Sequence, residues 1–159
     1  MKKRIFEEKS QVMTISIKRA SEEDLPILFE MIKEFADYLG KQEKVKISLE
    51  DLRKGMPHFQ FFIIEKEEKE IAGYAFTFFS FHTWAGKNLY LDDLYIREKY
   101  RRQSIGNQAI EFLKQFGKDN GCTCLQWQVL DWNERAIKFY QKIGASIGDD
   151  NLNCEIALE

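Results

Sequence analysis

Apolar and polar positions alternate from Thr14 to Lys18, which predicts a strand. From Ser21 the period lengthens. Leu25, Leu28, Phe29, Ile32, Phe35, Ala36 and Leu39 fall on one helical stripe, and Ser21-Glu-Glu-Asp24 ahead of them has capping-box form. Pro26 lies early enough for a first helical turn, and Gly40 is a stop. Ser48-Leu-Glu-Asp51 opens a second, short helix with Leu49, Leu52 and Met56 facing inward. Strands follow at Gln60–Glu65, at the very aromatic Ile71–Phe81, and at Asn88–Ile96, with the charged run EKEEKE as a solvated hairpin turn between the first two. In "YRRQSIGNQAIEFLK", Tyr100 to Lys114, a polar turn leads into a helix whose stripe is Ile105, Ala109, Phe112, Leu113 and Phe116. Gly121 can end it. A strand at Cys122–Leu130, a helix at Asn133–Ile143 and a last strand at Asn151–Leu158 complete the order. This is a mixed α/β pattern. The crossover from Asn88–Ile96 through a helix to Cys122–Leu130 requires those two strands to be parallel.

Length and charge narrow the function. A chain of 159 residues suits one domain, expected over 13–159, with 1–12 as a charged arm. A net charge of −2 supplies no global field for nucleic acid. No apolar run approaches a membrane span. Cys122, Cys124 and Cys154, without a signal-peptide pattern, read as reduced thiols in a cytoplasmic protein. With only two histidines and no zinc-type cysteine spacing, no metal is expected.

Three constellations could carry chemistry. In the first, Gln103, Ser104, Ile105, Gly106 and Asn107 can present consecutive N–H groups at a helix start, with Arg101 and Arg102 beside them. A pyrophosphate suits that arrangement, whereas the plain structural reading makes Ser104 a simple N-cap. In the second, Asp92 and Asp93 interrupt the apolar strand "NLYLDDLYI". Alternation puts adjacent residues on opposite faces, so the two carboxylates are not expected in one packed layer. A partly buried carboxylate gains a raised pKa and can serve as a base near neutral pH, or it can simply bond nearby N–H groups. In the third, "DWNERAIKFYQKIGA", Asn133 can cap a helix bearing Ala136, Tyr140 and Ile143 on one stripe. Tyr140 there is either core or a proton donor to a leaving thiolate.

Together these segments resemble the GNAT N-acetyltransferase superfamily. "YRRQSIG" is similar to its [Q/R]-x-x-G-x-[G/A] coenzyme-A loop, "LDDLYI" to the strand feeding that loop, and "WNERAIKFYQKIGA" to its N-x-x-A-x-x-F-Y segment. The likeness is closest to the diamine (spermidine/spermine) acetyltransferase-like branch. It implies a mostly antiparallel twisted sheet of about six to seven strands, with a splayed parallel pair and flanking helices. It implies acetyl-CoA as cosubstrate, a small amine as acceptor, and a homodimer, for which the Tyr74–Phe81 region could supply an apolar surface. The resemblance places pantetheine against Leu94, Tyr95 and Ile96, and pyrophosphate on Arg101, Arg102, Gln103, Ser104, Ile105 and Gly106. Further cofactor contacts fall at Asn133, Ala136 and Lys142. Tyr140 matches the general acid; Asp92, Asp93 or a water they hold would take the amine's proton, and a backbone N–H near Leu94 would face the developing oxyanion.

Some positions depart from the pattern. Ser104 stands where the loop has its middle glycine, and Arg102 replaces another common glycine. A left-handed backbone at Ser104 would cost roughly 1–2 kcal/mol; an N-cap would suit serine, and the cap is the preferred reading. Leu39 and His82 occupy positions where the diamine branch carries acids, and Asp92 is shorter than its usual Glu. Asp149 and Asp150 add negative charge. The leading expectation is direct acetyl transfer to a diamine-like or lysine-like amine in a ternary complex. A coenzyme-A-binding regulatory module and a protein lysine or N-terminal acetyltransferase are the alternatives.

Overall fold

The computed structural model describes residues 15–148, and the chain divides after Trp127 into two compact units. In the first unit, β1 (Ser16–Arg19) leads into α1 (Leu25–Tyr38) and α2 (Leu49–Gly55). Strands β2 (Gln60–Glu65), β3 (Ile71–His82) and β4 (Gly86–Ile96) follow, then α3 (Ile105–Asp119) and β5 (Cys124–Gln126). The second unit contains α4 (Glu134–Lys142). Among the described residues the sheet has five strands in the order β1-β2-β3-β4-β5. All pairs are antiparallel except β4–β5, which is parallel as the helical crossover requires. The predicted strand at Asn151–Leu158 lies outside the described residues, as do Cys154, Asp149 and Asp150.

Local chemistry accounts for the element starts. Asp24 Oδ2 accepts from both the Ser21 backbone N–H (2.8 Å) and its hydroxyl (3.0 Å), so the chain turns through one 3₁₀ turn before α1 begins. Ser48 and Asp51 make the same box ahead of α2. The charged run closes as a tight turn between β2 and β3, with the Lys66 N–H donating to Glu70 O at 2.8 Å.

Each sheet face has its own cover. On one, Leu25, Leu28 and Met31 of α1 and Leu52 of α2 pack with Phe61, Ile63, Tyr74 and Tyr95. On the other, Ile105 and Ala109 of α3 pack with Ile64 and Ala72, and Phe62 meets Phe112 and Phe116 edge-on at 5.2 and 5.0 Å. Leu25 and Leu28 of the stripe read from periodicity are fully buried and Phe29, Ile32 and Phe35 partly so, while fully buried Met31 was not in that stripe. The twelve-residue β3 and its hairpin partner β4 form the spine joining both layers.

Two features of β4 shape everything downstream. First, its antiparallel register slips: Phe76 faces Asp93 and Thr77 faces Leu91, so Asp92 is an extra, bulged residue. Second, β5 pairs with β4 only over Asn88–Tyr90. The expected strand Cys122–Leu130 thus shrinks to three residues, because β4 and β5 part company beyond Tyr90. Fully buried Asn88 clips the pair where it still holds, donating to Gln126 Oε1 (3.2 Å) and accepting from the Thr123 hydroxyl (3.0 Å).

The β3–β4 contact leaves no room at Gly73. A Cβ there would lie 2.0 Å from the backbone oxygen of Tyr95. Gly73→Ala is expected to lower stability by about 3 kcal/mol or more, since a strand backbone must move; a urea melt that shifts by less than about 1 kcal/mol would contradict that packing.

Candidate active site

Where β5 leaves, β4 has no strand paired to that edge among the described residues. The Arg97 N–H donates back to Ala72 O at 2.9 Å. Alternation along an antiparallel strand then turns the N–H groups of Leu94 and Ile96 the other way, away from β3. The Ile96 carbonyl confirms that direction: it accepts from Arg101 Nε at 2.8 Å instead of from a strand. Leu94, Tyr95 and Ile96, the residues the sequence marked for pantetheine, therefore include two outward N–H donors on a free edge.

The bulge corrects the reading of Asp92 and Asp93. Strict alternation would separate them, but the inserted residue resets the phase, and Asp93 pairs with Phe76 on the α1 side of the sheet. The charge of Asp92 acts on Asp93, Tyr74 and Tyr90 alike. Burial first, and the Asp92 charge second, lift the Asp93 carboxyl to about 6, against a hydrogen bond from the Tyr74 hydroxyl (2.8 Å) that pulls it down. Asp92 is exposed as a residue, yet the protein packed around its carboxyl raises it as well. Among the described residues no Lys, Arg or His forms an ion pair with either acid. A carboxylate pair left without a cation favours a cationic guest.

The loop from Arg101 to Gly106 follows. Arg101 is held between the Ile96 carbonyl and the ring of Tyr38, 4.2 Å from its guanidinium carbon. Arg102 (φ 63°) and Ser104 (φ 60°) are both left-handed. The expected serine cap is not made: Ser104 occupies the N-cap position of α3, but its hydroxyl accepts no cap hydrogen bond. The backbone path, not the side chain, decides this residue's conformation, and that path is one glycine adopts freely. It leaves the first N–H groups of α3 free of both an intrahelical acceptor and a serine cap, the arrangement an anion can use. Gln103 is anchored through its Nε2 to Lys99 O (3.3 Å), while its Oε1 is buried without a partner.

Arg97 and Glu34 were not singled out by the sequence. They form a two-bond fork (3.0 and 2.7 Å) that ties α1 to the chain between β4 and the loop. An arginine directly after an apolar strand was the available signal. Tyr74 was read only as part of an aromatic run; a phenol buried in that strand had to find an acceptor.

In the second unit, Asn133 Oδ1 accepts from the Ala136 N–H at 3.2 Å, so Asn133 caps α4 as its spacing suggested. Tyr140 lies on that helix against Phe139, and burial raises its phenol above the ordinary tyrosine value. Lys142 ends the helix. Elsewhere, a hollow of about 100 Å³ is lined by Lys114, Lys118, Cys122 and Cys124. It contains no carboxylate and none of the expected site residues, so the chemistry favours the β4 edge. No group of three or more candidate metal ligands occurs among the described residues.

A sequence profile of the acetyltransferase (GNAT) family matches residues 25–145. The chain belongs to that family. This GNAT protein is 35% identical over 142 residues to the thialysine N-epsilon-acetyltransferase of Bos taurus, covering 82% of this chain and 84% of that one. It is 30% identical over 139 residues to the human spermidine/spermine N(1)-acetyltransferase-like protein 1, covering 81% of this chain and 20% of that one. The fold is shared with a crystallised aminoglycoside acetyltransferase from a soil metagenome, at a TM-score of 0.77 with 22% identity, over 91% of this chain and 97% of that one. The protein is an N-acetyltransferase.

Two stability predictions follow from this GNAT site. Ser104→Gly removes left-handed strain of about 1–2 kcal/mol and adds glycine's chain entropy of about 0.5–1 kcal/mol, so a net gain near 0.5–1 kcal/mol is expected in a denaturant melt; a loss would contradict the geometry. For Asp93, the folded carboxyl near 6 lies above its ordinary 3.8. Stability is therefore greatest when the group is protonated in both states, and it declines as pH rises from about 4 to 6. Asp93→Asn should gain up to about 3 kcal/mol at pH 7.5 and little at pH 4. An equal effect at both pH values would contradict the burial cost.

Proposed function

We propose that this protein transfers the acetyl group of acetyl-CoA directly to a primary amine of a small cationic substrate, lysine-like or diamine-like, within one ternary complex. The observation that carries this reading is the bulged Asp92–Asp93 pair, ion-paired by no cation among the described residues, beside the β4 edge that β5 leaves. The thialysine relative supports a lysine-like acceptor, and the spermidine/spermine relative a diamine.

Acetyl-CoA supplies an activated thioester when bound. The chain's own residues fit it by chemistry: outward N–H groups at Leu94 and Ile96 suit the amides of pantetheine. Arg101, Arg102, Gln103, Ser104, Ile105 and Gly106 offer cations and helix-start donors to a pyrophosphate. Asn133, Ala136 and Lys142 are assigned the remaining cofactor contacts on the family likeness. Asp92 attracts the substrate ammonium; Asp93, ionised above about 6, takes the proton that frees the nitrogen lone pair. The N–H of Leu94 is the donor assigned to the oxygen where negative charge develops. Tyr140, kept protonated by burial, holds the proton that a departing thiolate needs.

The same reading treats residues 13–159 as one acetyltransferase domain of a cytoplasmic homodimer. Phe81 and Trp84, 78% and 100% exposed near the β3–β4 turn, are apolar surface that a second copy could cover. Among the described residues no helix is long and apolar enough to cross a membrane.

Acetyl transfer from acetyl-CoA to thialysine and to spermidine, followed across pH, tests the proposal. kcat/KM should rise with pH through about 6, the value at which Asp93 ionises. Asp93→Asn should lower it by about 10²–10⁴-fold, the usual range for a lost general base. Turnover of neither amine, or full activity in Asp93→Asn, would overturn it.

A further inference from the structure

Tyr74 is a buried ionisable group that the mechanism does not use. It is fully buried in β3, and its hydroxyl donates to Asp93 Oδ2 at 2.8 Å. The contact runs diagonally across the β3–β4 ladder, because Asp93 itself pairs with Phe76 and Tyr74 with Tyr95. Asp93 and Tyr95, two apart on β4, share the face of Tyr74, so the diagonal lies within one regular stretch of the ladder. A phenylalanine would fill the same space among Phe61 and Tyr95, whose rings lie 5.9 and 6.1 Å away. The hydroxyl is therefore an addition with a specific target.

We propose that Tyr74 is a positioning residue for amine recognition: its hydroxyl occupies one oxygen of Asp93, fixes the rotation of the carboxylate, and leaves the other oxygen to receive the substrate's N–H. This rests on the assignment of Asp93 as the proton acceptor. Burial and the charge of Asp93 hold the Tyr74 phenol far above its ordinary value, so it remains a donor throughout the working range. The bond also favours ionised Asp93, opposing burial and the neighbouring Asp92. Among the described residues no cation forms an ion pair with Asp93: Arg97 is engaged by Glu34, and Arg53 of α2 by Glu22 and Glu50. With the hydroxyl gone, Asp93 loses its donor and ionises at higher pH.

The experiment compares wild type, Tyr74→Phe and Asp93→Asn with acetyl-CoA and thialysine, together with a carboxyl-carbon NMR titration of Asp93 in the first two. Tyr74→Phe should move the acidic limb of kcat/KM upward by about one pH unit. The Asp93 titration midpoint should move with it, KM for acetyl-CoA should stay unchanged, and activity should recover at high pH. Fluorotyrosine at position 74, a stronger donor, should move both in the opposite direction, which guards against a folding defect in the phenylalanine variant. If Asp93→Asn abolishes turnover but the limb and midpoint stay in place in Tyr74→Phe, the positioning role is overturned and the base assignment stands. If Asp93→Asn is fully active, both fall, whatever the titration shows.

Discussion

One inserted residue in β4 conditions most of what this chain can do. An antiparallel ladder resists insertions, since each one breaks the hydrogen-bond register and tilts the strand. Here the insertion at Asp92 falls just past the point where β5 stops pairing. The two defects support each other. A strand that bends at a bulge cannot keep a straight parallel neighbour, and a strand without that neighbour keeps outward N–H groups that a ligand can use. Asp93, next to the insertion, shares the face of Tyr95 and of buried Tyr74. Free edge, neighbouring acids and buried donor meet at this change of phase.

The site is costly to maintain. Two neighbouring carboxylates, neither ion-paired by a described cation, both have raised proton affinity, Asp92 through burial and Asp93 through burial and the charge of Asp92. Folding tolerates this because the rest of the molecule compensates: β3 and β4 are long, aromatic and covered on both faces, and Asn88 satisfies its buried amide across the parallel pair. The Glu34–Arg97 fork adds a two-bond tie between α1 and the exit of β4. A well-packed scaffold with an unfavourable charge at its functional edge is the trade expected where a group must be ready to bind a cation or a proton.

Much of the element order was legible in the sequence because it depends on periodicity. The α1 stripe, the strand meander and the helical crossover each repeat a pattern over many residues, and the structure keeps them within a residue or two at most ends. The candidate site's residues stood out in the sequence by type, but their geometry did not. Asp92 and Asp93 stood out as acids in an apolar strand, yet alternation misassigned their faces. A bulge is a one-residue event that hydrophobic period does not register. Tyr74 was hidden because its partner lies nineteen positions away, on a cross-strand diagonal. The length of β5 was missed because strand-forming residues continue past Gln126, while pairing depends on where β4 goes.

The Arg101–Gly106 loop shows how backbone conformation can outrank side-chain preference. Serine is a favoured N-cap residue, and its position ahead of α3 suggested that use. A capping serine takes an extended backbone, however, and Ser104 is left-handed at φ 60°. With Arg102 also left-handed at φ 63°, the loop holds two L-residues in a conformation that glycine adopts at no steric cost. Such strain persists only where the surroundings impose it. Here they are visible: Arg101 anchored to Ile96, Gln103 anchored to Lys99, and Ile105 sunk into the core. The fixed points on either side of Arg102 and Ser104 leave the backbone one route between them. That route is the one that keeps the first N–H groups of α3 uncapped by Ser104. The shape of this turn is thus set by its three anchors, and glycine at the two intervening positions would ease the shape without being needed to create it.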